Sequence, residues 1–251
     1  MSRHEQPGRG PRVTSGTAGG STRGAAARLG MIEVAERLFA ERGVHGVSLR
    51  EIGAQAGQRN TAAARYHFGS KEALVDAVFK HRMEPINERR LAYLGRLDAA
   101  GRGHDLRGLV EAFLHPLAET LGTPGKPSWY VRFCVNAGLL EGIAVADLSA
   151  EEYTRGAAIV RDRLLTLFDD LPAPLRHDRW TLLAGYVGQT LAAREAFQQY
   201  GRADRLTARP VFLSHLLDTA VALAAAPVSP ATTTTLKASG AVPPHPPRRT
   251  P

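Results

Sequence analysis

The sequence holds one cysteine, Cys134, in 251 residues. A lone thiol excludes an internal disulfide and any zinc site built on paired cysteines, and it fits a reducing compartment. Cys134 itself reads as a small buried apolar side chain. Long apolar runs are also missing. Nothing approaches the roughly 18 consecutive apolar residues that span a bilayer, and the N-terminus lacks the apolar centre of a secretion signal. The expectation is a soluble, cytoplasmic protein with no membrane partner. Aromatics supply only 6% of the chain, and no segment reads as a convincing strand, so the chain is expected to be all-α. Catalytic signatures are absent too: the nine histidines are scattered, with no HExxH, no phosphate-cradling glycine loop after a strand and no GxSxG elbow. His115, His177 and His215 fall in helical patterns and read as packed or surface residues. Neither an enzyme nor a metal or cofactor is expected.

Acid is scarce at both ends. Residues 1–28 carry five arginines and one glutamate, residues 227–251 carry three cations and no acid, and the two tails hold all but one unit of the formal charge of +8. Segment 45–71 adds four cations against Glu51, which leaves the remainder slightly acidic. Positive charge confined to one small module and its flanking tail is what attraction to phosphates requires. Residues 1–22, almost without apolar side chains, cannot offset their ordering entropy and are expected to be a disordered basic tail. Residues 227–251, rich in Pro and Thr, are expected to be disordered as well, and merely solvated. Arg23 and Arg28, at the start of the first helix, are placed to follow a phosphate backbone or enter a minor groove.

The most informative stretch runs from Val47 to Lys71. Ser48 with Glu51 three positions on forms a capping box, so a helix starts at Ser48, with Val47 and Ile52 placed as a hydrophobic staple. Gly57 ends it. A second short helix, about Asn60 to Tyr66, places Ala62, Ala63 and Ala64 among Gln58, Arg59, Asn60, Thr61 and Arg65. Small residues that let a backbone approach, beside Arg, Asn and Thr that reach base edges, suit a major groove about 12 Å wide. Lys71, after the plausible cap Ser70, adds a cation at the next helix start. An ordinary helical hairpin with a solvated face is the alternative reading.

The run AGQRNTAAARYHFGSKEAL resembles the second half of the DNA-binding domain of tetracycline-repressor-type (TetR family) regulators. Residues Arg28 to Gly43 and Val47 to Gly57 are similar to the first two helices of that family, so the resemblance covers roughly Thr22 to Met83. It implies that Ser48, Gln58, Arg59, Asn60, Thr61, Tyr66, His67 and Lys71 touch DNA. Ten residues separate Gly57 from Phe68, one more than the commonest family pattern, and Arg65 stands where a Tyr is usual.

The expected organisation is a three-helix DNA-binding domain over 23–84, with its helix-turn-helix at about 48–67, and a larger helical domain over 85–226. Its first core comprises Ile32, Ala35, Leu38, Phe39, Val47, Ile52, Phe68 and Leu74. The helix opening near Ser70 is expected to run into the larger domain with a kink near Met83, ahead of Pro85. Helices are expected after Asp105 and Ser128, from a Ser149–Glu152 capping box, over about 174–200, and from near Asp204. Phe113, Leu117, Trp129, Phe133, Asn136, Leu140, Phe168, Trp180 and Tyr186 are candidates to line an apolar pocket, with Arg132, His115 and Gln189 interspersed. Helical spacing of aromatics favours a solid core, whereas the resemblance implies a small-molecule effector. It also implies homodimerisation through the last two long helices, in which Gly185 and Gly188 beside Ala184 and Ala192 permit close approach. The partners so implied are double-stranded operator DNA with an inverted repeat, a second copy of the chain and an apolar effector. A regulator without an effector, or an activator, is the alternative.

Overall fold

The computed structural model describes residues 18–60, 62–123, 126–138, 152–200 and 206–240, and among these every regular element is helical. Helices α1 (Ala18–Arg42), α2 (Leu49–Gln55) and α3 (Ala63–Phe68) pack together with the start of α4 (Lys71–Ala99). Then follow α5 (Leu106–Ala118), α6 (Tyr130–Asn136), α7 (Arg155–Leu167), α8 (Ala173–Gln199), α9 (Arg209–Ala225) and α10 (Pro230–Ala238). A 3₁₀ turn, Glu152–Thr154, leads into α7. Ser149, Gly201 and Asp204, expected at helix boundaries, lie outside the described residues.

The apolar stripe of α1 decides the first unit. Ile32, Ala35, Leu38 and Phe39 are buried with Val47, Ile52 and Leu74, while half-buried Phe68 lies under the Arg28 guanidinium, 5.0 Å from its ring centre. Helix α1 begins at Ala18, inside the segment expected to be disordered. Ala25 to Ala27 are strong helix formers, and a helix nucleated by its buried stripe propagates into such residues. Ser48 Oγ accepts from the Glu51 N–H at 3.2 Å as expected. The return arm of the capping box does not form. Glu51 Oε1 instead accepts from Arg42 at 2.5 Å and from Gln55 at 3.3 Å, tying α2 to α1.

Helix α4 runs from the N-terminal helices into the larger helical region. Its expected kink near Met83 is not a break: the helix runs continuously through Pro85, which is exposed, so water can meet the carbonyl that the missing N–H frees. Buried Glu36 of α1 grips Arg82 of α4 with a bidentate pair at 2.7 and 3.1 Å, which fixes the two helices in register.

Helix α5 occupies the centre of the larger unit and contains Pro116, which cannot donate to the Ala112 carbonyl. Arg90 of α4 replaces that donor. Its Nε bonds Ala112 O at 3.2 Å and its Nη2 bonds Phe113 O at 3.3 Å, with the guanidinium 5.6 Å from the Phe113 ring centre. Burial pushes the Arg90 pKa down to about 10, so the group remains charged near neutrality. Residues 230–238, expected to be disordered, form α10. Ser229 caps it and threonine hydroxyls return hydrogen bonds to earlier carbonyls, but none of its residues is buried. No single helix among the described residues is long and apolar enough to cross a membrane.

Candidate nucleic-acid interface and the cavity behind it

The turn after α2 is a Schellman motif. Gly57 adopts φ +70°, its N–H bonds Ala54 O at 3.1 Å, and the Gln58 N–H bonds Gly53 O at 3.0 Å. A side chain at position 57 would be strained in that conformation, so glycine sets where the chain turns. Asn60 then holds the next helix start: its Oδ1 accepts from the Ala62 N–H at 2.9 Å and its carbonyl from the Ala63 N–H at 3.0 Å.

Helix α3 consequently starts at Ala63, three residues later than the sequence pattern suggests. Gln58, Arg59 and Asn60 belong to the turn, and Thr61 lies outside the described residues. Ala63 and Ala64 are buried against the unit's core, which corrects the expectation that they face a groove. The outward face comprises Ala62, Arg65, Tyr66 and Gly69, at the spacing that repeats along one side of a helix. Tyr66 is 85% exposed. His67 is half-buried beneath it, their rings edge to face at 5.3 Å. Lys71 turns away from this face, its Nζ donating to the Val44 carbonyl at 3.1 Å across the α1–α2 turn.

Three arginines of this unit, Arg50, Arg59 and Arg65, are exposed and have no ion-pair or hydrogen-bond partner among the described residues. Arg37 and Arg42, by contrast, are spent on Gln55 and Glu51. Sequence reasoning misses Arg50 because it lies inside the first short helix, where the caps are the stronger pattern. Its signal is a cation two residues after the Ser48 cap, in the first turn of α2. Residues 31–78 match the family model of bacterial regulatory proteins, tetR family. The N-terminal unit is a TetR-family DNA-binding domain. The TetR match runs from the second half of α1 through α2 and α3 to the first turns of α4, and a domain of this kind belongs to DNA-binding transcriptional regulators. A comparison with curated proteins gives no match.

Behind this TetR-type domain, most side chains expected to line a pocket fill the core instead. Phe113, Leu117, Phe133, Phe168 and Trp180 are buried, and Phe113 meets Trp180 edge to face at 5.0 Å. Phe133 stacks instead on Phe39 of α1, with ring centres 6.1 Å apart. Tyr186 is half-buried, its hydroxyl 2.6 Å from Thr219 Oγ1. Leu140 lies outside the described residues. Asn136 serves as a tie between helices. Its Nδ2 donates to Ala40 O at 2.8 Å and Phe39 O at 3.4 Å, at the C-terminal end of α1.

Two expected lining residues border open cavities: Phe168 edges a space of about 500 Å³ beside Leu106, Leu171 and Arg179, and Trp129 edges a larger one. This space of about 620 Å³ lies between the α5–α6 connection, the end of α8 and the start of α9, with Ser128, Arg194, Gln198, Leu206 and Arg209 also on its wall. Gly122 is needed here, since a Cβ would sit 2.5 Å from Lys126 O and 2.7 Å from Ser128 N. Glu195 at the cavity wall accepts from the backbone N–H of Arg132 at 3.0 Å and of Val131 at 3.4 Å, at the start of α6. Burial raises its pKa, and those N–H groups and Arg132 oppose the rise. The sequence signal for this site is the buried stripe of α8, which passes from Trp180, Ala184, Val187 and Leu191 into polar Arg194, Glu195 and Gln198.

Proposed function

We propose that the protein is a homodimeric, sequence-specific repressor that binds an inverted-repeat operator and is released by a small molecule, acting in the cytosol and not as an enzyme. The observation that carries DNA reading is the set of unpaired arginines, Arg50, Arg59 and Arg65, around a helix whose outer face presents Tyr66. Cations without internal partners are free to meet phosphates or the acceptor edges of guanine. Arg59, Arg65 and Tyr66 reach the bases, Ser48, Gln58 and His67 contact or position the backbone, and Asn60 combines a contact with its capping role. Two copies reading half-sites about 34 Å apart would multiply the few base pairs that one short helix reaches.

Supporting dimerisation, Leu182, Phe197, Tyr200 and Val211 are exposed apolar residues on or beside α8 and α9. Ala184, Gly188 and Ala192 are buried within the subunit, whereas a Cβ at Gly185 would meet nothing within 4 Å. Gly185 is therefore the small residue open to a partner helix. Supporting effector release, helix α6 is held by Glu195 at the cavity and holds α1 through Asn136. A ligand that shifts α6 thereby tilts the helix against which α2 is braced. A coupling of about 1–3 kcal/mol, common for allostery, changes DNA affinity roughly 5- to 150-fold. A regulator whose helical domain only dimerises is the second reading, favoured by the filled core around Phe113 and Trp180.

Selection of sites from a random duplex library tests the DNA reading. The expected product is a palindromic motif whose preference at one or two base pairs is relaxed by Arg59→Ala or Arg65→Ala, at a cost of about 1–3 kcal/mol. A library that returns no motif, or one that both variants reproduce, overturns it.

A further inference from the structure

The cavity beside α6 is out of charge balance. In the larger unit Arg163 meets Asp98 at 2.6 Å and Arg107 meets Asp218 at 2.8 Å, while Arg90 and Arg179 end on backbone carbonyls. Arg194 and Arg209 on the cavity wall have no carboxylate partner among the described residues. Arg194 is 4% exposed, and its Nη2 donates to the Thr207 carbonyl at 2.7 Å while its guanidinium lies 4.2 Å from the Phe212 ring centre. Its Nε is buried with no hydrogen-bond partner. Arg209 ends on backbone oxygens, Ala118 O at 2.7 Å and Leu121 O at 3.4 Å. Burial lowers the pKa of Arg194, and the charge of Arg209 lowers it further, so the two guanidinium groups oppose each other across this wall. Glu195 does not relieve them, because its carboxylate faces the α6 backbone and Arg132, with Arg132 Nε at 3.6 Å.

The same wall includes the N-terminus of α9. Ala208 occupies the cap position with no side-chain hydrogen bond, so the first-turn N–H groups of a 17-residue helix lack a side-chain acceptor at the cavity. Such an end carries partial positive charge and binds anionic oxygens. Trp129, Pro127 and Leu206 add apolar surface to the lining, in a volume typical of small-molecule sites.

We propose that this cavity binds an organic monocarboxylate with an apolar body, the carboxylate held by Arg194, Arg209 and the first turn of α9 and the body against Trp129 and Leu206. This deepens the effector reading by naming the ligand's class and its place. The anion supplies the charge partner that both arginines lack.

The test is calorimetric titration of the full chain with 4-phenylbutyrate and decanoate, each against its uncharged amide. Either carboxylate is expected to bind at least about tenfold more tightly than its amide. Because Arg194 is buried and its loss can unfold the chain, the decisive variant is Ala208→Asp. Aspartate is a preferred helix cap, so this variant folds at least as well as the parent, yet it places a carboxylate where the ligand's would sit. It should weaken carboxylate binding at least about tenfold, while Ala208→Ser, a neutral cap, retains it. Equal affinity for acid and amide, unchanged binding in Ala208→Asp, or no binding of either acid up to about 1 mM overturns the proposal. Operator affinity measured with the bound acid separates the two readings: charge-selective binding that leaves operator affinity unchanged upholds the site and defeats release.

Discussion

Arg90→Met removes the donor that compensates for Pro116, and its cost can be worked from the contacts. The Ala112 carbonyl, fully buried and deprived of a helix N–H by Pro116, is left without a donor, at about 1–3 kcal/mol. The weaker bond to Phe113 O and the stacking on its ring add about 1 kcal/mol. These losses come to about 2–4 kcal/mol, and because methionine fills similar volume and ends the cost of keeping a charge inside, the net loss should be smaller, about 1–2 kcal/mol. Pro116→Ala restores an N–H at the position that faces Ala112 O. In that background the same Arg90→Met substitution should cost at least about 1 kcal/mol less, because the orphaned carbonyl no longer arises. Urea unfolding of the four proteins, with equal slopes and shifted midpoints, reads the coupling directly. Additive effects, within about 0.5 kcal/mol, would refute the assignment of Arg90 as the replacement donor.

Ser48→Ala should lower stability by about 1 kcal/mol in the same unfolding assay, through loss of the cap on the Glu51 N–H. Lys71→Ala should cost about 0.5–1.5 kcal/mol of stability by freeing the Val44 carbonyl, with the salt slope of DNA binding unchanged; a slope flatter by about one unit would return Lys71 to the phosphate contacts. Asn136→Ala should leave basal operator affinity intact but reduce ligand-induced release severalfold, since it cuts the bond from α6 to Ala40 O; titration of operator with and without bound ligand reads this. Arg163 holds the Asp98 carboxyl below its ordinary pKa of 3.8. A depressed acid stabilises the fold above its unfolded pKa and loses that contribution as pH falls through the folded value, so below about pH 4 the parent should lose stability more steeply than Asp98→Asn.

The legible part of the fold is the part written in local rules. The caps Ser48, Ser70 and Asp105, the stop at Gly57, the stripes of α1 and α8 and the all-helical class follow from residues whose neighbours in sequence decide their state. The sequence pattern places the start of α3 too early because Asn60 spends its side chain on the Ala62 N–H, an alternative to helix that composition does not reveal. That same shift puts the alanines on the wrong face. Pro85 and Pro116 show the limit from the tertiary side: an exposed site and an arginine from another helix let both remain within helices. Aromatic spacing marks Phe113 and Trp180 equally well as core or as pocket, and only their mutual contact decides. The cavity escapes sequence reasoning because its wall is made by Arg194, Arg209 and Trp129, which are distant in sequence and meet only in the fold.

The most direct test of the central claim is fluorescence anisotropy of the full chain on duplexes from the DNA flanking its own coding region, against scrambled duplexes of equal length, at two salt concentrations. A dimeric, sequence-specific regulator should bind one flanking duplex, containing an inverted repeat, with two subunits and at least about 10³-fold more tightly than scrambled DNA, a preference that persists as salt rises. Equal binding to every duplex, falling steeply with salt, would contradict this and assign the interaction to the basic segments alone.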